Sequence, residues 1–517
     1  MKGADLLVRT AILMGVEVCF ANAGTTEMPI VTALDSTPGI KVSLGLFEGV
    51  CTGAADGYGR MLDKPAMTLL HLGPGFANGI ANLHNARRAR SPVLNVVGEH
   101  ATWHRPTDPP LAMEIESLAK TVSGWWRTTS SPAEIALDLA SAVAATQVGQ
   151  VATLIVPHDH QLTECHDRSF DPPSALLDPL DPKSIEAVAL RLKKSRKSAL
   201  LLGGRGLRKP GLTAAARIKK AAECDLFAPT LPAYIERGPG QPRVERIPYF
   251  PNDATSLLSR YDVVVLAGTP EPVTFFGYPG VRSQILADGQ ERLILCTGTQ
   301  SVVKALEALA DCLGAPDRLA HEKGLFPEQH RPPLSQGELT AEKACQTIAA
   351  LQPEGAIIVD EAVTSARSYF PLTEGLPPHS LMTASGGSIG YGIPCATGAA
   401  VACPGRPVIT LQADGSAMYT VQALWTQAHE GLDITTLICS NRSYRILQME
   451  LRRAGVSSPG PNTLALTEMK NPPIDWVKIA EGLGVPGVTV NTGEALAREL
   501  GGALAEPGPH LIEMLLP

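Results

Sequence analysis

The chain has 517 residues, 44 basic against 51 acidic side chains, a formal net charge of −7 and 44% hydrophobic residues. That length exceeds what one hydrophobic core supports and predicts two to four domains, while the slight acidity gives no general attraction to nucleic acid or to an anionic membrane. The 10 cysteines are scattered, with no C-x-x-C pair, which suits buried thiols in a reducing compartment rather than a disulfide or zinc framework, so a cytoplasmic location is expected.

The opening stretch, MKGADLLVRTAILMGVEVCF, sets charges among apolar residues at helical spacing and lacks the apolar core of a signal peptide. No run approaches the length of a membrane span. Glu48 heads "EGVCTGAADGYGR", a glutamate opening a helix, where the macrodipole favours an acid. Apolar runs then alternate with Ala- and Leu-rich stretches: PAMTLLHLG, SPVLNVVGEH and QVATLIVPHD; SALLLGGRG, YDVVVLAGTP and ERLILCTGT; EGAIIVDEA, RPVITLQAD and ITTLICSN. This is the pattern of α/β domains, and three doubly wound domains with mainly parallel sheets are expected. They span residues 1–165, 183–325 and 336–517, and Pro-rich linkers lie at 166–183 and 325–337.

His71 ends the first of these runs, and His100 and His104, in GEHATWHRP, follow the second at positions expected to be surface or supporting ones. In the middle segment, LLLGGRGL (201–208) and LAGTPEP (266–272) resemble turns that approach a nucleotide. They lack a full G-x-G-x-x-G with an acid on the next strand, so backbone geometry is the simpler reading. In the last segment Val408 to Leu411 reads as a buried strand, Ala417 to His429 as a helix, and Ile434 to Cys439 as the next strand. Asp414 and Asn441 then lie beyond the carboxyl ends of neighbouring parallel strands, where ligands bind in open sheets. They could share one Mg2+, a hard cation that prefers oxygen ligands and the oxygens of a diphosphate. Gly415 would let a phosphate approach the backbone, and the helix N-terminus would offer it N–H groups. The alternative is an ordinary Asp-Gly-Ser helix start.

Four stretches together resemble the thiamine diphosphate (thiamine pyrophosphate, ThDP) enzymes. "ADGS" followed by "SNRS" is similar to the family's diphosphate and metal motif, with Ala413 for its first glycine and Ser440 for its first asparagine. The resemblance implies metal ligands at Asp414, Asn441 and the Ser443 carbonyl, and cofactor contacts at Gly415 and Ser416. "LFEGVCTGAADGYGR" (46–60) resembles the N-terminal motif whose glutamate, here Glu48, bonds the cofactor's pyrimidine and promotes loss of the thiazolium proton. "ASGGSIGYGIPCATGAA" (384–400) is similar to the segment that bends the cofactor, with Gly387 and Ser388 beside it and Ile389 as the apolar wedge. "CFANAGTTE" and the G-P-G-x-x-N turn near residue 75 match the family's N-terminal domain. The likeness covers all three segments and points to the pyruvate-oxidase-like branch, near acetolactate synthase and benzoylformate decarboxylase.

The resemblance implies Mg2+- and ThDP-dependent decarboxylation of a 2-oxo acid with carboligation, acetolactate synthase-like. The alternative is release of an aldehyde from an aromatic or branched 2-oxo acid, benzoylformate decarboxylase-like, with His71 and Thr25 at positions like that enzyme's active-site histidine and serine. A histidine titrates near neutrality and can pass a proton. The branch's second histidine has no evident counterpart, since "PVTFFGYPG" offers Phe275 and Phe276. "FEGVC" and "GFAN" depart from the synthase motifs, and the chain ends on "LIEMLLP" without the synthase's C-terminal tail. Gln448 and Met449 follow the metal motif on an expected short helix. The resemblance also implies a homodimer as the smallest active unit, a homotetramer as the usual assembly, and FAD as an optional guest. A ThDP-fold protein that binds without turnover, or a flavin-dependent oxidase, would be the competing readings.

Overall fold

The computed structural model describes residues 1–517 other than 166–172, 174–176, 318 and 320–323. All nine apolar runs fold as strands. β1 (Val18–Asn22), β2 (Lys41–Leu44), β3 (Ala66–Leu70), β4 (Val93–Glu99), β5 (Trp125–Thr128) and β6 (Val151–Pro157) form a parallel sheet in the order β2-β1-β3-β4-β6-β5. β3, β4 and β6 are buried along their whole length, as strands covered on both faces by helices must be. One face packs Leu7, Ile30, Leu69, Leu94 and Leu139, the other Phe20, Leu70, Phe76, Val97 and Ile155.

The middle of the chain supplies β7 (Ser198–Leu202), β8 (Asp225–Ala228), β9 (Ile235–Arg237), β10 (Glu245–Arg246), β11 (Val263–Ala267) and β12 (Glu291–Cys296). Five of these form a second parallel sheet, β10-β8-β7-β11-β12. Then come β13 (Ile357–Glu361), β14 (His379–Thr383), β15 (Val408–Ala413), β16 (Ile434–Ser440), β17 (Gly487–Val490) and β18 (His510–Leu515). In this last group β17-β18-β16-β15-β13 lie side by side in parallel, while β14 pairs antiparallel with β9.

Two compact units result. The first joins Met1–Ala175, Pro332–Leu372 and Ala384–Pro517, so the N- and C-terminal sheets belong together; the second is Leu176–Arg331 with Thr373–Thr383. The first Pro-rich linker, 166–183, lies largely outside the described residues, and residues 327–336 of the second carry no helix or strand. The expected helix from Ala417 to His429 is interrupted: a short turn, Asp414–Ala417, is followed by a separate helix, Ala423–Glu430. The break keeps Thr420 free to donate from its hydroxyl to Gly390 O at 2.8 Å, a tertiary bond that outweighs local helix propensity.

Within the first unit the helices Glu48–Leu62 and Gly392–Ala402 meet backbone to backbone. A Cβ at Gly398 would sit 1.8 Å from the Ala54 carbonyl oxygen, and one at Gly57 2.1 Å from that of Cys395. Beside this seam Arg60 donates to both Asp56 oxygens and to the Tyr391 hydroxyl, all three side chains being buried. Gly398→Ala is therefore expected to cost about 3 kcal/mol or more, the upper range for overpacking. Chemical denaturation checks it against Gly501→Ala, where nothing lies within 4 Å and the helix should gain slightly.

Candidate functional site

Beyond their carboxyl ends parallel strands give way to loops, and the predicted residues gather at two such edges. At the N-terminal sheet, β1 leads into a 3-10 turn, Thr25–Glu27, and the neighbouring β3 leads to His71, which precedes the helix Leu72–Ala89. His71 Nδ1 lies 2.7 Å from Glu27 Oε2. Glu27 is fully buried, and it also accepts from Gly24 N–H (2.9 Å) and from the Thr26 hydroxyl (2.7 Å), which is itself 3.3 Å from His71 Nδ1. A side chain at Gly98 on β4 would come within 1.7 Å of Glu27 Oε1, so glycine there makes room for the acid. Leu72 holds a left-handed φ of 51° while fully packed, a strained backbone just where the histidine is presented.

Thr25 is exposed, and the partners of His71 are Thr26 and Glu27 instead. Which of three consecutive turn residues faces inward has no sequence periodicity to reveal it. A signal for Glu27 did exist, the one charged residue inside the otherwise uncharged CFANAGTTEMPIV. His100 and His104 pack edge to face, 5.7 Å between ring centres, and His100 Nε2 is buried without a hydrogen-bond partner among the described residues.

Glu48 opens its helix as expected and is 9% exposed. Its Oε2 accepts from Asn78 Nδ2 at 3.0 Å, and a Cβ on Gly75, in the G-P-G turn, would lie 2.9 Å from Oε1. The glycine turn thus shapes the wall around this carboxylate.

At the C-terminal sheet, β15 and β16 are adjacent and parallel, which brings Asp414 and Asn441 to the same edge. Asp414 Oδ1 accepts from Gly415 N–H (2.8 Å) and Oδ2 from Arg442 N–H (2.6 Å), while Asn441 Oδ1 accepts from Ser443 N–H (2.9 Å). Burial pushes the Asp414 carboxyl up to about 6, against the opposing pull of these backbone N–H groups. The open side of Gly415 is taken by the chain itself, since a Cβ there would be 2.5 Å from the Tyr444 ring. Gly387 has a φ of 73° with open space beside it, and Ser388 and Ile389 are half-buried. Asn85 Nδ2 donates to Ser388 O (2.8 Å), its Oδ1 accepts from Ser388 N–H (3.2 Å), and Asn82 Nδ2 bonds both Gly390 O (3.2 Å) and Gly49 O (2.9 Å). Gln448 and Met449 are half-buried on the helix Arg445–Arg453. Among the described residues no hydrogen bond joins Glu48 or His71 to Asp414 or Asn441.

Family models described as the N-terminal and C-terminal TPP binding domains of thiamine pyrophosphate enzymes match residues 1–118 and 362–514, ranges that include Glu27, Glu48 and His71 in the first and Asp414 and Asn441 in the second. The chain is a thiamine pyrophosphate enzyme. It is 48% identical, over 100% of its length and 99% of the relative's, to a Mycobacterium tuberculosis protein provisionally named acetolactate synthase large subunit IlvX. It is 27% identical to benzoylformate decarboxylase of Pseudomonas aeruginosa, covering 97% of this chain and 96% of that one. A solved Rhodococcus jostii ThDP-dependent 4-hydroxybenzoylformate decarboxylase shares the fold, with a TM-score of 0.84 at 21% identity, over 100% of this chain and 99% of the other.

The donor set suits the cofactor of such an enzyme. Asp414 and Asn441 present hard oxygens, and a carboxyl raised by burial is one that a cation would relieve. Among the described residues no group of three or more His, Cys, Asp or Glu side chains could hold a metal ion. The central unit is different. Gly203 packs against Gly268 O (2.7 Å to a built Cβ) and Gly206 against Val302 (3.1 Å), while Gly204 between them has open space beside it. In that unit Phe275 stacks near Tyr249 at 4.7 Å, and Phe276 is 59% exposed. No helix is long and apolar enough to cross a membrane.

Proposed function

We propose that this enzyme decarboxylates a 2-oxo acid with ThDP and Mg2+ and releases the product as an aldehyde. Bound ThDP supplies the electron sink that lets CO2 leave such an acid. Asp414, Asn441 and the Ser443 carbonyl would hold Mg2+ and through it the diphosphate, Ser416 would lie beside that grip, and Gly387, Ser388 and Ile389 would shape the bend. Glu48 would hold a proton at the pyrimidine. The pairing of His71 with the buried Glu27 carries the choice of reaction: Glu27 fixes His71 Nδ1, leaving Nε2 to deliver a proton to the carbon that lost CO2. On this reading, and following the family resemblance, a homodimer is the smallest active assembly.

A second reading, joining that carbon to another carbonyl as acetolactate synthases do, is favoured by the 48% identical relative's name. Product analysis by NMR and mass spectrometry against aliphatic and aromatic 2-oxo acids separates the two. Aldehyde supports the proposal; an acyloin such as acetolactate from the unaltered enzyme sinks it in favour of the second reading. His71→Ala is expected to lower aldehyde release by about 10²- to 10⁴-fold, the usual worth of a positioned acid–base group, while ThDP binding stays intact.

A further inference from the structure

Glu361 ends β13 and is 3% exposed, yet both carboxylate oxygens are fully used. Oε1 accepts from the N–H of Gly390 (2.7 Å) and Tyr391 (3.2 Å), and Oε2 from Gly392 N–H (2.6 Å) and Gln412 Nε2 (3.0 Å). The three N–H groups are those a helix start leaves unpaired, here at the head of Gly392–Ala402 and directly after Ile389. Burial raises the Glu361 carboxyl above its ordinary value, and the donors from Gly392, Gln412, Tyr391 and Gly390 pull the other way.

Gln412 sits opposite Glu361 in the β13–β15 register and is also fully buried. The same Nε2 donates to Ser416 Oγ at 2.7 Å, and that hydroxyl donates to Ala413 O at 3.1 Å. A Cβ on Gly392 would meet Gln412 Oε1 at 2.1 Å, so the arrangement closes only with glycine at that position. An unbroken line of hydrogen bonds therefore runs from the backbone beside Ile389, through Glu361 and Gln412, to the turn that begins at Asp414. We propose that Glu361 and Gln412 are positioning residues: a buried strut that ties the turn carrying Ile389 to the turn carrying Asp414, so that the bend of the cofactor and the grip on its diphosphate are set together. This rests on the reading that those two turns hold ThDP and Mg2+.

Hydrogen–deuterium exchange on the cofactor-free full chain tests the strut without that reading. Glu361→Gln turns one acceptor oxygen into an amide nitrogen facing another donor; Gln412→Leu keeps the volume and leaves three of the four donors to Glu361 in place. Each substitution is expected to speed exchange about 10- to 100-fold in both 386–392 and 413–416, the effect of a buried polar group left unpaired. Faster exchange confined to the turn nearest the substituted residue overturns the strut. At saturating Mg2+ and ThDP, the C2 proton of the bound cofactor, followed by NMR, should exchange about tenfold slower in Gln412→Leu, one decade of the same lost alignment. Exchange at the parent rate per loaded site would mean that the pair serves folding alone. A parent chain that binds no ThDP but shows the coupled exchange keeps the strut and overturns the cofactor reading instead. Should both variants fold poorly, Ser416→Ala removes a single hydroxyl at the far end; unchanged exchange at 386–392 in that variant overturns the proposal.

Discussion

Glu48→Gln is expected to lower turnover by about 10²- to 10⁴-fold, the range for a lost general acid–base group, with thermal unfolding unchanged. The side chains are isosteric, and the one hydrogen bond observed, from Asn78 Nδ2, can be accepted by the amide oxygen. What the amide cannot do is share a proton with a ring nitrogen and become negative. Mg2+-dependent ThDP binding should survive, because Asp414 and Asn441 are at the other sheet edge. If a second copy completes the site, Glu48→Gln mixed with Asp414→Asn, each inactive alone, should recover about a quarter of the parent activity by random pairing into twofold dimers. Full activity in Glu48→Gln would remove that carboxylate from the chemistry, and no recovery on mixing would place both groups in one chain's site.

Asp414→Asn is expected to weaken Mg2+-ThDP binding by about 100-fold or more, since a charged oxygen on a dication is replaced by a neutral one. The pH dependence gives a sharper signature. With the Asp414 carboxyl at about 6 in the folded, metal-free chain, Mg2+ must displace a proton below that pH, so affinity at pH 5 should be about tenfold weaker than at pH 7. In Asp414→Asn the curve should be flat over that range. The same shift bears on stability, with its sign set by the raised value. The folded chain holds the proton more tightly than the unfolded chain, so this group's contribution, about 3 kcal/mol, is present near pH 4 and lost as pH rises through about 6. Adding Mg2+ and ThDP at pH 7 should restore it. Calorimetric binding at several pH values checks the first point and denaturation with and without cofactor the second; a pH-independent affinity in the parent chain would exclude Asp414 as a ligand.

The strand–turn–strand edge around Asp414 and Asn441 was legible because parallel strands buried on both faces are continuous apolar runs, and the turn between them is marked by Asp-Gly-Ser. The helix start at Glu48 was legible for a similar reason, an acid at the head of a small-residue helix. What was not legible lay across the chain. Glu27 acquires meaning only when β1 and β3 stand side by side and bring His71 to it. Glu361 reads in the sequence as the last acid of a strand, and only the fold sets three helix-start N–H groups on it. The helix expected across 417–429 failed because Thr420 has a tertiary partner that local periodicity cannot show.

The seam of bare backbone between Glu48–Leu62 and Gly392–Ala402 also bears on how the chain reaches its native state. Arg60 and Tyr391, which bond across it, are 331 residues apart in sequence. Closing so long a loop is slow compared with pairing neighbouring strands, and it must wait until most of the chain has left the ribosome. Until then a helix of small residues, with Asp56 and Arg60 paired on its face, stands without its partner. Refolding should therefore show the N-terminal sheet protected early and the seam late, so that a chain cut short before residue 392 keeps its first sheet but leaves that helix exposed to proteolysis.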